Sequence, residues 1–223
     1  NMGLPVLIEG ESGSGKSRSL KNFKPGEISI FNVAGKPLPF KNNGLATLSV
    51  AKLVKANKGK SRYDVIKAAM FQSKSKAFAI DDSQYLMAFD SFDKAKELGY
   101  GKFTDMAVSF ERLIEFVIND LPPDVIVYFL HHVELTDGGK YKAKTIGKML
   151  DNQLTVEGLF SIVLFCTADE NHHYFITQSR GISTAKSPED MFDDEIENDL
   201  KFVDTKIREY WNLTPNNIES EEK

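Results

Sequence analysis

The string GESGSGKS, residues 10–17, directly follows the apolar run LPVLIE, and this junction restricts the fold more than any other feature of the chain. A short apolar run, a loop of glycines and serines and then the helix-compatible KSRSLKN predict a strand, a tight loop and a helix in succession. That succession is typical of α/β folds, in which parallel strands alternate with helices. We therefore expect the loop to lie at the carboxyl end of a strand in a mostly parallel sheet.

The loop matches G-x-x-x-x-G-K-[ST], the P-loop or Walker A pattern. Small residues let successive backbone N–H groups converge on phosphate oxygens, and a following helix adds the positive end of its dipole. In this pattern Lys16 reaches the β- and γ-phosphates and the Ser17 hydroxyl binds Mg²⁺. The residues predicted to contact the nucleotide are Gly10, Glu11, Ser12, Gly13, Ser14, Gly15, Lys16, Ser17 and Arg18. The alternative is a flexible loop without a ligand.

Length and composition favour one globular α/β domain. The chain has 223 residues, of which 41% are hydrophobic and 27% charged. We expect a P-loop domain over residues 1–211 with a hairpin insertion at about 134–147, and an acidic, flexible tail over 212–223. The single cysteine excludes an intramolecular disulfide and favours a reducing compartment. Since the sequence has neither a signal peptide nor a long apolar segment, we expect a cytoplasmic protein without a membrane partner.

Six apolar runs predict strands, and helix-like stretches separate them. The strand candidates are LPVLIE, EISIFNV, KAFAID, DVIVYFLHHVE, LFSIVLFC and HHYFITQ. The clearest helices are SRYDVIKAAMFQ and TDMAVSFERLIEFVIND, the latter capped by Thr104 and stopped by Pro122. LATLSVA is compatible with either a strand or a helix. A last helix, NDLKFVDTKIREYW, is expected to turn Phe202, Ile207 and Trp211 inward.

The run KAFAIDDSQ has the form of a Walker B strand, a buried strand that ends in a carboxylate. In P-loop enzymes such a carboxylate holds the Mg²⁺ shell, and a second polar group orients the attacking water. We assign Asp81 to the metal and Asp82 to the nucleophile. Two acidic residues before a helix are also typical of an ordinary N-cap, which is the alternative here.

A further strand, DVIVYFLHH, is expected between the P-loop strand and the Walker B strand in the sheet. A polar residue at its tip would then face the γ-phosphate. Because side chains alternate along a strand, only one of His131 and His132 can do so, and we choose His132. A surface histidine pair is the alternative, and a zinc site is disfavoured because the sequence has no cysteine pair.

Charge is distributed unevenly along the chain. Residues 1–76 carry a net charge of +10 and residues 77–223 carry −14, so the total is −4. The basic half is densest over residues 51–76, where eight Lys or Arg side chains meet one acidic residue. This pattern is typical of a solvated face, and it also fits a surface for the phosphate backbone of single-stranded DNA, with residues 52–76 as the contact.

The Walker A loop, AFAIDDSQ, and YFLHHVE followed by KTIGKMLDNQLTVEGLFSIVLF together resemble phage-encoded P-loop nucleotide-binding proteins. That family is similar to the RecA-like and AAA-type ATPases, and some members are single-strand annealing or recombination ATPases. The resemblance spans most of residues 2–195, with Walker A as its most specific part. It implies a three-layer fold with a RecA-like sheet, ATP and Mg²⁺ as cofactors, and a role in phage DNA recombination or replication in the host cytoplasm.

The sequence departs from this family at the catalytic acid. RecA-like enzymes carry a glutamate after the strand that follows the P-loop helix, but FNVAGKP has no acid there, and the AAA-type glutamate position is occupied by Asp82. Hydrolysis would then be slow or would need Glu9 or a partner subunit. The resemblance also implies a homo-oligomer whose site is completed in trans. Arg180 is our choice for that residue, and the alternatives are Lys144, Lys148 and Lys186.

The function predicted from these features is Mg²⁺-dependent ATP binding and hydrolysis, with Lys16, Asp82, His132 and Arg180 as catalytic residues. Three alternatives stay open. They are a nucleotide-gated binding module with negligible turnover, a small-molecule or nucleotide kinase, and a non-enzymatic annealing protein with a structural P-loop.

Overall fold

The computed structural model describes residues 2–147, 151 and 155–217. The strands, in chain order, are β1 (Leu4–Gly10), β2 (Ser29–Asn32), β3 (Ala46–Ser49), β4 (Ala77–Asp81), β5 (Ile126–Leu135), β6 (Tyr141–Ala143), β7 (Val163–Ala168), β8 (His173–Ile176) and β9 (Glu195–Glu197). The α-helices are α1 (Val50–Ala56), α2 (Arg62–Gln72), α3 (Gln84–Asp93), α4 (Gly101–Asp120) and α5 (Leu200–Tyr210). Two short 3₁₀ helices cover Ser17–Leu20 and Val156–Leu159.

The nine strands form one mixed sheet in the order β3-β2-β4-β5-β1-β7-β8-β9, with β6 paired to β5. Pairings from β3 to β7 are parallel, whereas β6, β8 and β9 join in antiparallel fashion. Each of the six predicted strands overlaps an observed one, and the three-layer, RecA-like α/β fold is confirmed. The expected order is also confirmed, because β5 lies between the P-loop strand β1 and the Walker B strand β4.

Helices cover both faces of the sheet, so the parallel strands are buried on both sides. On one face α2, α3 and α4 pack on a cluster that includes Phe31, Phe78 and Phe129. On the other face α5 packs on a second cluster, which includes Ile8 and Tyr128. The predicted apolar side of α4 is buried as expected, since Met106, Phe110, Leu113, Ile114 and Val117 all face the core.

Two local expectations are wrong, and one open alternative is resolved. The P-loop is followed by a single 3₁₀ turn, Ser17–Leu20, rather than by an α-helix, so a helix dipole contributes little at the loop. Helix α4 begins at Gly101, one turn before Thr104, and Thr104 therefore does not cap it. The ambiguous LATLSVA contains both structures, since β3 ends at Ser49 and the Ser49 hydroxyl caps α1 by accepting a bond from the Lys52 N–H.

The inward side of α5 was predicted correctly for Ile207 and wrongly for Phe202 and Trp211. Leu200, Val203 and Ile207 are buried, whereas Phe202 and Trp211 are 40% and 37% exposed. The buried side also carries the ion pair between Arg208 Nε and Asp204 Oδ2, 2.7 Å apart. Because these charges lie on the apolar stripe and are satisfied inside the protein, hydrophobicity alone misassigns the phase of the helix.

The chain after α5 is held to the domain as far as the structure describes it. Asn216 is buried and donates from Nδ2 to the Glu27 carbonyl at 2.8 Å, and Arg208 donates to the Thr214 carbonyl at 3.0 Å. The first half of the predicted flexible tail is therefore docked, and residues 218–223 lie outside the described residues. Within the predicted insertion, β5 and β6 form an antiparallel hairpin around the turn at Thr136.

Candidate functional site

The P-loop joins β1 to the 3₁₀ turn at the carboxyl edge of the sheet, and two of its glycines have no substitute. Gly15 has a φ of +107°, and a Cβ there would lie 2.8 Å from the His173 ring. A Cβ on Gly10 would lie 2.5 Å from the Cys166 carbonyl oxygen. The loop is thus closely packed on β7 and β8 rather than loose, which contradicts the alternative of a flexible linker.

The Lys16 side chain folds back across this loop. Its ammonium donates to the carbonyls of Gly10 at 2.9 Å and Glu11 at 2.7 Å. Burial lowers the pKa of Lys16, while the nearby carboxylates Asp81 and Asp82 oppose that shift. The loop therefore holds a cation over its own concave side, where incoming phosphate oxygens could replace the two carbonyls.

The Ser17 hydroxyl meets the Walker B carboxylate. Ser17 Oγ donates to Asp81 Oδ1 at 2.7 Å, although the two residues lie 64 positions apart in the chain. Burial raises the pKa of Asp81, and the bond from Ser17 lowers it in part. Mg²⁺ in nucleotide sites is usually held by one or two protein oxygens together with phosphates, and this pair of oxygens fits that mode. Across the ranges 2–147 and 155–217 no three His, Cys, Asp or Glu side chains form a group that could hold a metal ion by themselves.

Asp82 has the most strained backbone at the site. Its φ of +58° is unusual for a residue with a side chain. Oδ2 lies 2.6 Å from Lys36 Nζ and Oδ1 lies 3.2 Å from His132 Nε2. Burial by itself would raise the pKa of Asp82, but the bonds from His132 and Lys36 outweigh it and hold the pKa well below its ordinary range. Asp82 is therefore an ionised carboxylate that faces two cationic or polar partners.

Neither aspartate caps the following helix. The N-cap of α3 is Ser83, and no side chain caps it. Instead Ser83 bonds to β5, with its N–H donating to the Leu130 carbonyl at 2.8 Å. This disfavours the N-cap alternative and leaves both carboxylates facing the edge of the sheet.

His131 and His132 lie where β5 ends its parallel pairing with β1, and they point to opposite sides, with His132 facing the cleft. His131 is fully buried, with Nδ1 2.8 Å from Ser83 Oγ and Nε2 2.7 Å from the Lys144 carbonyl. Burial lowers the pKa of His131 to about 4, so this ring is neutral. The His132 backbone N–H donates to Gln84 Oε1 at 3.1 Å, which fixes the strand tip beside α3.

One cleft of about 600 Å³ is lined by most of the P-loop together with Asp81, Asp82 and His132. The P-loop and the 3₁₀ turn form one wall, and the loop after β2 forms the other. The lining residues are Ser12, Gly13, Gly15, Lys16, Ser17, Arg18, Lys21, Lys36, Pro37, Pro39, Phe40, Asp81, Asp82, His132 and His173. Four of them are Lys or Arg and two are Asp, so the cleft favours anions.

The second wall of the cleft was missed at the sequence level. In the sequence, FNVAGKP is notable only because it lacks an acid. No role is predicted for its Lys36 or for the run Pro37-x-Pro39-Phe40. The sequence carries a weak signal for them, since this segment follows a parallel strand and must therefore begin at the same edge as the P-loop.

The remaining P-loop residues have structural or lining positions. Arg18 lines the cleft and donates to Asn198 Oδ1 at 3.0 Å. The Ser14 carbonyl lies 2.7 Å from His173 Nδ1. Glu11 is exposed and takes part through its carbonyl, which accepts the bond from Lys16.

Glu9 does not line the cleft, which contradicts its use as a substitute base. It is fully buried on the face of the sheet occupied by His131, and its Oε1 accepts a bond from Thr184 Oγ1 at 2.6 Å. Burial raises the pKa of Glu9 to about 7.

Arg180 lies outside the cleft of its own chain. Its guanidinium lies 3.3 Å from Glu195 and 3.6 Å from Asp194, on an exposed surface. Lys144 and Lys186 do not line the cleft either, and Lys148 is outside the described residues. A role in trans for any of them stays a prediction.

The basic segment 51–76 forms α1, α2 and their connections beside the edge strand β3. The side chains of Lys52, Lys55, Lys58 and Lys60 are exposed. Lys76, by contrast, pairs with Asp124 at 2.5 Å, and it lies about 16 Å from Asp81 along β4 at about 3.3 Å per residue. Lys76 is therefore paired within the domain and lies far from the Walker B carboxylate.

No helix among the described residues has the length and apolar character that a membrane span needs. In comparisons with known proteins, no family model and no curated protein matches this chain.

Proposed function

We propose that the chain binds a nucleoside triphosphate, ATP, together with Mg²⁺ and hydrolyses its terminal phosphate. The observation that carries this proposal is the convergence of a closed P-loop, the Lys16 ammonium and the Ser17–Asp81 pair on one anion-favouring cleft. Lys16 and Ser17 belong to the loop that follows β1, and Asp81 comes from β4, 64 positions beyond Ser17.

Binding would use groups that the protein now pairs internally. Lys16 would exchange the carbonyls of Gly10 and Glu11 for phosphate oxygens, which are stronger partners for an ammonium. Ser17 and Asp81 would hold the Mg²⁺ shell. The ion, when bound, neutralises charge on the phosphate oxygens.

Asp82 and His132 are placed to handle the attacking water. Asp82 is ionised and can accept a hydrogen bond from water, and His132 holds one of its oxygens at 3.2 Å. Attack of that water on the terminal phosphorus would break the bond to the bridging oxygen and yield the diphosphate and inorganic phosphate. Because FNVAGKP has no acid and Asp82 occupies the position of the AAA-type glutamate, slow turnover is expected, and a nucleotide-gated module with negligible turnover is the second candidate.

The DNA role rests on the exposed lysines of α1 and of the turn after it. They would bind a phosphate backbone without sequence preference. Together with the resemblance to phage P-loop proteins, these lysines favour a role in phage DNA recombination or replication.

Isothermal titration with ATP and Mg²⁺ tests the nucleotide site. We expect wild type to bind and Lys16→Ala to bind at least about tenfold more weakly, because a charged hydrogen-bond donor is lost. Asp81→Asn should remove the dependence of binding on Mg²⁺. The matched control is Lys41→Ala, which removes an exposed lysine outside the cleft. Equal ATP affinity in wild type and Lys16→Ala would contradict the site.

Phosphate release from ATP, with and without single-stranded DNA, separates the two candidates. Asp82→Asn should lower turnover and spare binding. Binding without measurable release under both conditions would favour the gated module, and phosphate transfer to an added acceptor would favour a kinase.

A further inference from the structure

Lys36 occupies the wall of the cleft that faces the P-loop. It lies on the loop of residues 33–45, which joins β2 to β3. This loop starts beside the Walker B carboxylate, because Asn32 is paired with Asp81 in the sheet. Lys36 Nζ lies 2.6 Å from Asp82 Oδ2 and lines the same cleft as Lys16.

The backbone at Lys36 is anchored, whereas most of its side chain is exposed and its ammonium is held by Asp82. The Asn32 side chain accepts a bond from the Gly35 N–H at 2.8 Å and donates to the Lys36 carbonyl at 2.7 Å. Beyond that anchor, the Lys36 side chain is 57% exposed. Its ammonium can therefore turn from Asp82 toward the cleft by rotamer changes alone, which occur quickly in exposed side chains.

The charge balance of the cleft favours this movement when a triphosphate is present. Asp81 and Asp82 are already negative, and a terminal phosphate beside them needs cations on more than one side. Lys16 approaches from the P-loop, and Lys36 is the cation on the opposite wall. The two ammonium groups repel each other. Burial is the main cause that lowers the pKa of Lys16, and the charge of Lys36 acts in the same direction.

We infer that Lys36 contacts the terminal phosphate of the bound triphosphate and, in doing so, releases one oxygen of Asp82 for the attacking water. In the structure, Lys36 occupies that oxygen. Lys36 is then both a contact that distinguishes triphosphate from diphosphate and the group that keeps Asp82 paired until the triphosphate arrives. This inference rests on the proposed function, because it assigns a role within the same site.

The test compares ATP and ADP affinity, each with Mg²⁺, for wild type, Lys36→Met, Lys36→Arg and the control Lys41→Met. Lys41 lies on the same loop, is exposed and does not line the cleft. We expect Lys36→Met to weaken ATP binding by about tenfold or more and to change ADP binding by less than about twofold. Lys36→Arg, which keeps the charge, should retain most of the ATP affinity, and Lys41→Met should match wild type.

Three results would overturn the inference. Unchanged or tighter ATP binding by Lys36→Met would mean that Lys36 serves only as the partner of Asp82. An equal loss for ATP and ADP would mean that it acts through the general field of the cleft. Failure of wild type to bind either nucleotide would refute the proposed function itself, and the inference with it. The first two results can be obtained only with a wild type that binds nucleotide. Failure of the inference is therefore distinguishable from failure of the proposed function.

Discussion

Glu9 should make the stability of this protein fall as pH rises, and Glu9→Gln should remove that fall. The side chain is fully buried on β1. Its Oε1 accepts a bond from Thr184 Oγ1, whereas Oε2 has no hydrogen-bond partner among the described residues. Burial, together with the nearby Glu157, raises the pKa of Glu9 from 4.5 to about 7, and the bond from Thr184 offsets this only in part.

The sign and size of the effect follow from proton linkage. The folded protein keeps the Glu9 proton between pH 4.5 and about 7, where the unfolded chain has lost it. The stability that the folded protein retains while Glu9 is protonated is therefore complete below pH 4.5 and is lost as pH rises through about 7. The pKa of Glu9 differs by about 2.5 between the unfolded and folded states, and one pKa unit corresponds to about 1.4 kcal/mol. The free energy of unfolding should therefore fall by about 3 kcal/mol over this pH range.

Urea unfolding of wild type and Glu9→Gln at a series of pH values from 5 to 8 measures this directly. Gln keeps an oxygen acceptor for Thr184 but cannot ionise. We expect the two proteins to have similar stability near pH 5, and the variant to be more stable by up to about 3 kcal/mol near pH 8. The matched control is Glu115→Gln, at an exposed position of α4. The same pH slope in wild type and Glu9→Gln would refute the reasoning.

Two further predictions concern other parts of the chain. Arg208→Met should lower the free energy of unfolding by about 3–5 kcal/mol, because it leaves Asp204 buried without its ion-pair partner. Urea unfolding measures this loss. If the double variant Arg208→Met/Asp204→Leu is no more stable than Arg208→Met, the unpaired charge is not the cause. Changing Lys55, Lys58 and Lys60 together to Glu should weaken binding to labelled single-stranded DNA and flatten its salt dependence by roughly 0.7 in log-slope per lost contact. Fluorescence anisotropy across a salt series measures this, and the absence of wild-type binding at low salt with ATP and Mg²⁺ would contradict a DNA surface.

The sequence by itself determined the features that depend on near neighbours in the chain. A parallel strand buried on both faces must be continuously apolar, so the principal strands could be recognised as runs. The P-loop could be recognised because its glycines and its lysine act within one short segment. Even the position of Walker B beyond β5 could be predicted, since the order of strands in such folds follows from their motifs.

The tertiary structure decided the side-chain positions that depend on residues distant in sequence. The choice between His131 and His132 depended on which face of β5 met α4 and which met the cleft. The inward side of α5 carries Asp204, which accepts a bond from the Tyr128 hydroxyl 76 residues away. The buried Glu9 accepts its hydrogen bond from Thr184, which lies 175 residues away.

Lys36 shows the same limit most clearly. In the sequence it is one of many lysines in a basic region, and the one weak signal for it is that its segment follows a parallel strand. Only the alignment of β2 beside β4 brings it within 2.6 Å of Asp82. The physical reason is that local propensity acts over a few residues, whereas the electrostatics of the cleft are summed over groups that the sheet alone brings together.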